Sequence, residues 1–255
     1  MKNGFFMHYW ITGASSGIGA QLSIDLAKQG HKVFASARSE EGLNKTKALA
    51  GSHQDNIDIF PLDVSSYEQT LIVYKAIIDK YEHIDCAILN AGIYLPMDLE
   101  NFQASIVKKT LDVNVLGIAN CVEAISGDMI KRQAGHIAIV SSVAGYGGLP
   151  SSSAYGASKA GLINFAESLR FDAQRNGMKL QVICPGFVKT PATDKNDFPM
   201  PFLVPIEKAS ERIQKGLNSN KFEISFPTRF SLILKFLNML PYSFYFKLVG
   251  KTTKA

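Results

Sequence analysis

The chain is predicted to be one α/β domain: a doubly wound parallel sheet of about seven strands, helices on both faces, and a helical C-terminal extension. Three observations support this. Short β-rich apolar runs alternate with longer stretches of helical period. A glycine-rich turn follows the first apolar run, and 255 residues suit one domain of this class.

Residues 5–11, 32–36, 57–61, 84–89, 136–141, 179–184 and 222–226 read as strands, each short and rich in Val, Ile or Phe. Helical periods fill 17–29, 67–81, 102–130, 155–175 and 207–217. Strand–helix–strand repetition with right-handed crossovers gives a parallel sheet covered on both faces. Ligands of such sheets bind beyond the carboxyl ends of the strands. The main body is placed at 1–227, and 228–255 forms a basic, aromatic-rich extension of the same domain.

Composition narrows the class. Apolar residues make up 46% and charged residues 19%, enough of each for a large core and a polar surface. The N-terminus lacks a small-residue cleavage site, so no signal peptide is expected. No uncharged apolar run reaches ~18 residues, so no spanning helix is expected. Cys86, Cys121 and Cys184 match no zinc or disulfide spacing and read as buried reduced thiols of a cytoplasmic protein. The five histidines are scattered without ligand spacing, so no metal is expected. The net charge is +5, and residues 221–255 hold six basic residues against one acid, the same excess. The basicity belongs to that segment, which argues against nucleic-acid binding.

The first strand enters Thr-Gly-Ala-Ser-Ser-Gly-Ile-Gly, residues 12–19. Gly13 suits the tight turn, Gly17 a close approach of backbone to a pyrophosphate, and Gly19 close helix–strand packing. Backbone N–H groups around Ser15, Ser16, Gly17 and Ile18 open a helix and face an anion. Together these features predict a Rossmann-like dinucleotide fold. The second strand ends with Ser36 and Arg38 and carries no acid there. A small Ser36 leaves room for a 2′-phosphate and Arg38 supplies a charge-assisted bond to it, which favours NADP over NAD. In the plainer reading Arg38 is a solvated loop residue. Asp63, in Leu-Asp-Val with Val64, suits a cap of the next helix or a bond to the adenine amino group, and one residue can do both. After the fourth strand, Asn90, Ala91 and Gly92 are small enough to lie against the cofactor ribose.

Tyr155 and Lys159 stand four apart at a helix start, on one face. A phenol with its ordinary pKa of ~10 is a poor acid/base near neutrality; a neighbouring ammonium and a positive nicotinamide ring favour phenolate and would lower that pKa. Lys159 also suits the ribose hydroxyls. Ser142 ends the fifth strand and faces the same cleft, where its hydroxyl suits the substrate oxygen. Asn114 falls inside a helix, where Asn is a mediocre former; the mismatch suggests a kink or water contact and a proton relay toward Lys159.

Six blocks occur in order: Thr-Gly-Ala-Ser-Ser-Gly-Ile-Gly, Leu-Asn-Ala-Gly, Asp-Val-Asn, Val-Ser-Ser-Val-Ala-Gly, Tyr-Gly-Ala-Ser-Lys and Pro-Gly-Phe-Val-Lys-Thr. Over residues 5–190 the chain resembles the short-chain dehydrogenase/reductase family. The resemblance implies Ser142, Tyr155 and Lys159 as a catalytic triad with Asn114 as fourth member. It also implies that Pro185, Gly186, Val188 and Thr190 border the nicotinamide. The activity it implies is NADP(H)-dependent hydride transfer to or from a small-molecule carbonyl or alcohol.

The C-terminus departs from the family pattern. The last strand, Lys-Phe-Glu-Ile-Ser-Phe-Pro, lacks the usual glycine-rich close, which speaks against the family's usual tetramer and against a 3-oxoacyl-carrier-protein reductase. A homo-oligomer, with a dimer favoured, remains the expectation. Pro241 divides the tail into helices at about 229–240 and 242–249. These either cover the substrate cleft or a dimer partner, lie on an anionic membrane surface, or pack into the core. Residues 93–97, 143–149 and 191–204 are expected to line the substrate pocket. Tyr94, Leu95, Met97, Tyr146, Leu149, Phe198, Met200, Phe202 and Leu203 make it apolar, which suits a hydrophobic substrate. The alternative is a cofactor-binding docking protein whose tail is the functional element.

Overall fold

The computed structural model describes residues 6–195 and 199–253. Seven strands form one sheet: β1 (His8–Thr12), β2 (Lys32–Ala37), β3 (Ile57–Pro61), β4 (Cys86–Leu89), β5 (His136–Val140), β6 (Lys179–Pro185) and β7 (Glu223–Phe226). Their order is β3-β2-β1-β4-β5-β6-β7, and every pairing is parallel. The order reverses between β1 and β4, which opens a crevice above their carboxyl ends.

Side-chain alternation sends each strand's residues to two separate cores. Ile11, Val33 and Ile183 face one side, under the helices α1 (Gly17–Lys28), α2 (Glu40–Leu49) and α7 (Ile206–Leu217). Trp10, Phe34 and Leu89 face the other, under α3 (Tyr67–Tyr81), α5 (Gly117–Arg132) and α6 (Ser153–Arg175). Cys86, Cys121 and Cys184 are all buried free thiols.

The stretch expected as one helix over 102–130 is α4 (Ala104–Leu111), a π-helical turn (Asp112–Leu116) and α5. The whole run, Ala104–Arg132, is long and apolar enough by length and composition to cross a membrane. Its apolar side chains are spent on the domain core instead: Ile118, Cys121, Ile125 and Met129 are buried there. The tail forms α8 (Thr228–Asn238) and α9 (Tyr242–Thr253), parted at Pro241 as its fixed φ requires.

Candidate active site

The glycine-rich turn is held from three directions. Gly13 (φ +67°) and Gly17 (φ +57°) adopt the left-handed backbone that glycine tolerates best. From β2, the Ser36 carbonyl accepts from Ala14 N at 3.0 Å. From α2, Thr46 Oγ1 donates to the Ala14 carbonyl at 3.0 Å. From the end of β4, Asn90 Nδ2 donates to the Thr12 and Gly13 carbonyls at 3.1 and 3.2 Å. Thr12, buried, accepts from the Asn90 and Ala91 amides at 3.0 and 3.1 Å. Thr12 and Thr46 escaped the sequence reading. Thr12 stands first in the glycine motif, but nothing in one chain marks Thr46.

Ser16 is the N-cap of α1 and makes no side-chain cap, whereas Ser39 and Ser66 cap α2 and α3 by accepting from Gly42 and Gln69 amides. The first turn of α1 therefore keeps outward N–H groups for an anion. A Cβ on Gly17 would meet only Thr190, at 3.5 Å, so the turn is open on that side. At the other end of the crevice, a Cβ on Gly92 would stand 3.5 Å from Lys159 Nζ and 3.3 Å from Asn114 Oδ1. A groove floored by glycine backbone, with an uncapped helix end and an ammonium along it, fits a dinucleotide.

Several expectations shift. Ser36 is fully buried and its Oγ accepts from the Trp10 indole at 3.0 Å, because strand alternation turns it into the core. Its service to the crevice is through its carbonyl. Arg38 follows β2 and is exposed, beside exposed Glu40 and Glu41 at the start of α2. Asp63 does not cap α3, since Ser66 does; its Oδ1 accepts from the amide and hydroxyl of Ser65 at 3.0 and 2.7 Å. Val64 packs against Gly117, and its carbonyl accepts from Asn120 Nδ2 at 2.9 Å.

Ser142 follows β5 in extended backbone; its Oγ donates to the Pro185 carbonyl at 3.3 Å and accepts from Ala144 N at 3.1 Å. Tyr155 occupies the first turn of α6, and Lys159 lies one turn on. The Lys159 ammonium sits 5.6 Å from the Tyr155 ring centre and donates to the Val140 carbonyl at 2.9 Å. Burial raises the Tyr155 pKa, opposed by the hydrogen bond with Ser142, and burial pushes Lys159 down to about 8. Burial thus outweighs the Ser142 hydrogen bond at the phenol, and burial drives both groups toward their neutral forms.

Asn114 lies on the π turn, the irregularity that its poor helix propensity suggested. It is fully buried: its Oδ1 accepts from Ile93 N at 2.7 Å, and its Nδ2 donates to Ile93 O and Ser158 Oγ, both at 3.0 Å. Ser158 Oγ in turn donates to the Tyr155 carbonyl at 2.7 Å. Both amide hydrogens are thus committed, and the side chain braces α6 to residue 93 instead of bonding Lys159. Ser158 was another residue missed.

Beyond β6, Gly186 N donates to Phe226 O at 2.7 Å, and the buried Val188 bridges Val204. Thr190 reaches back toward Gly17. Of the expected pocket residues, Tyr94 sets its ring edge-on to Tyr155 at 5.1 Å, and Met97 is buried beside Ser152. Phe198 lies outside the described residues. Tyr146 is redirected: its hydroxyl donates to Glu223, which also pairs with Lys235. This cluster borders a cavity of about 150 Å³ with Ile163, Val182 and Cys184. The tail folds back on the body, for Tyr245 donates to the Gly148 carbonyl at 2.8 Å, and Phe230 stacks on Phe187 at 5.8 Å.

At the opposite end of β1, His8, His83 and Asp85 gather with ligand-capable atoms within 4.8 Å of one another. Sequence spacing did not reveal this group. Its members satisfy each other: His8 N donates to Asp85 at 2.7 Å, and His8 Nδ1 lies 3.0 Å from the His83 carbonyl.

Residues 8–199 match the family model described as short chain dehydrogenase. An oxidoreductase of undefined substrate from Myxococcus xanthus is 36% identical over 231 residues, 91% of each chain. A 3-oxoacyl-(acyl-carrier-protein) reductase from Thermotoga maritima is 32% identical over 185 residues, covering 72% of this chain and 75% of that one. Among solved structures, ElxO with NADP bound superposes with a TM-score of 0.79 at 25% identity, covering 87% of this chain and 98% of its own. A short-chain dehydrogenase from Streptomyces avermitilis reaches a TM-score of 0.83 at 22% identity over 98% of this chain and 97% of its own; that likeness concerns the fold.

Proposed function

Since the chain belongs to the short-chain dehydrogenase family and is an oxidoreductase, we propose that it uses NADP(H) to interconvert a hydrophobic carbonyl compound and its alcohol, with Tyr155 as acid/base. The observation that carries this reading is the convergence of Ser142, Tyr155 and Lys159 beside a glycine-floored groove.

In this reading the N–H groups of Ser15, Ser16, Gly17 and Ile18, with Gly13 and Gly19 shaping the turn, hold the pyrophosphate. Arg38 takes the 2′-phosphate at the end of β2, where no acid stands. Asp63 and Val64 border the adenine; Asn90, Ala91, Gly92 and Lys159 border the riboses. Pro185, Gly186, Val188 and Thr190 border the nicotinamide; the use of NADP is supported by the similar ElxO, which is solved with NADP bound. When bound, the nicotinamide supplies or takes up the hydride.

The remaining work falls to the chain's own groups. A phenol kept neutral by burial holds the proton that a carbonyl oxygen needs on reduction. Ser142, bonded to that phenol, orients the same oxygen. Lys159, with a pKa near 8, stabilises phenolate when protonated, so alcohol oxidation is favoured as the phenol gives up its proton. Asn114 keeps α6 and residue 93 in register through Ser158 and so positions Tyr155. The apolar surroundings of Tyr94 and Met97 favour a substrate without fixed charge.

The test is Tyr155→Phe. Turnover of NADPH with a panel of ketones and aldehydes should fall by at least about a thousandfold, while NADPH still binds. Turnover at the unsubstituted rate would remove Tyr155 from its role.

A further inference from the structure

We propose that the outer face of α8 and α9 docks the protein on an anionic lipid surface. Among the described residues, Phe230, Ser231, Tyr245 and Val249 of these helices are buried against the body. Most of their other large apolar groups are exposed. Leu232, Phe236 and Met239 recur at i, i+4 and i+7, one continuous stripe, and Met239 is 82% exposed. On α9, Phe244 and Phe246 are 59% and 64% exposed. Helices of a soluble domain place such side chains inward, and outward aromatic rings on this scale mark an interaction surface.

Charge identifies the occupant. No Asp or Glu follows Glu223 in the sequence, and Glu223 is itself paired with Lys235. Arg229 stands exposed at i−3 from Leu232 and i−7 from Phe236, within the apolar stripe, and Lys247 is exposed beside Phe246. Aromatic and aliphatic groups mixed with lysine and arginine on an in-plane helix suit anionic headgroups over acyl chains. A second copy of this face would bring no acid opposite Arg229 and Lys247, since neither helix carries one. Spanning is ruled out by length. α8 and α9 have 11 and 12 residues. Helices of that length reach ~16–18 Å, against a hydrocarbon core of ~30 Å.

The buried side of α8 adjoins the loop expected to line the substrate pocket. Phe202, half exposed, lies 5.6 Å from the Phe230 ring at the foot of α8. Docking on α8 therefore brings Phe202 and its loop close to the lipid boundary. This matches the apolar substrate class and, in that respect alone, rests on the oxidoreductase reading.

The experiment is co-sedimentation of the full chain with vesicles, read without turnover so that it is independent of the Tyr155 test. Vesicles of equal parts phosphatidylglycerol and phosphatidylcholine should pellet the protein; phosphatidylcholine alone should retain much less. The double variant Phe236→Ser/Phe246→Ser should lower the apparent partition coefficient by at least about tenfold. Arg229→Glu/Lys247→Glu should abolish the preference for anionic vesicles. Circular dichroism and NADPH binding check that each variant is folded, and the charge-reversal pair reads the face if the first fails. The proposal is overturned by absence of binding to either vesicle, or by unchanged binding in both folded variants. It is equally overturned by a concentration-dependent dimer that the Phe236→Ser/Phe246→Ser variant abolishes, since a second copy would then cover the face.

Discussion

Gly17→Ala separates the cofactor groove from the fold around it. Gly17 has φ +57°, and the added methyl would meet only Thr190, 3.5 Å away, an ordinary contact. The structural cost is therefore the left-handed backbone alone, about 1–2 kcal/mol. In a domain of this size that lowers the Tm by about 2–8 °C. The methyl nevertheless stands on the open side of the turn, where backbone must approach a pyrophosphate. The Kd for NADPH should rise about tenfold or more, equivalent to about 1.4 kcal/mol or above. Gly13→Ala is the contrast. Its Cβ would lie 2.9 Å from both Ala91 Cα and Asn90 Nδ2, and backbone there cannot yield cheaply. Overpacking adds about 1–3 kcal/mol to the same backbone strain, so this variant should lose stability first. Differential scanning fluorimetry gives the Tm and isothermal titration calorimetry the Kd. A folded Gly17→Ala protein with unchanged NADPH affinity would refute the groove assignment.

Other perturbations test single groups. Arg38→Ala should weaken NADPH by about tenfold to a hundredfold and leave NADH nearly unaffected, as for one charge-assisted bond; titration with both nucleotides decides, and equal losses would mean that Arg38 does not read the phosphate. Asn114→Ala strips partners from Ile93 and Ser158, which should cost about 1–3 kcal/mol and lower kcat, because Tyr155 loses its brace. Unchanged Tm and kcat together would dismiss that brace. His136 is buried, and burial, helped by the nearby Lys179 charge, depresses its pKa to about 4 despite the opposing effect of Gln181. The folded state then binds fewer protons than the unfolded state between pH ~6.5 and 4, so stability is full above that window and falls as pH drops through it, by about 3 kcal/mol. Urea midpoints for the protein and for His136→Leu measure this, and identical pH profiles would show that His136 is not responsible.

The parallel sheet, the crevice and the Tyr155–Lys159 pair were legible because each depends on local periodicity. Apolar runs of period two, glycines at a strand end and an i, i+4 pair carry their geometry with them. The π turn at Asn114 was half legible: a mismatch of propensity signalled an irregularity, but the partners that stabilise it, Ile93 and Ser158, lie 21 and 44 residues away. Asp63 shows a different limit. Ser66 and Asp63 are equally plausible caps for α3 in one dimension, and only the start of the helix chooses between them.

Residues close in sequence thus announced the turn, the Tyr155–Lys159 pair and the parallel sheet, while the strand order that opens the crevice came from the structure. The side to which Ser36 points, the commitment of Tyr146 to Glu223, and the net direction of the Tyr155 and Lys159 titrations emerge only on folding. The physical reason is that desolvation and long-range hydrogen bonding are set by what surrounds a group in space. A strand position or a one-turn spacing fixes where a side chain begins, while the packed domain sets the dielectric and the partners it ends among.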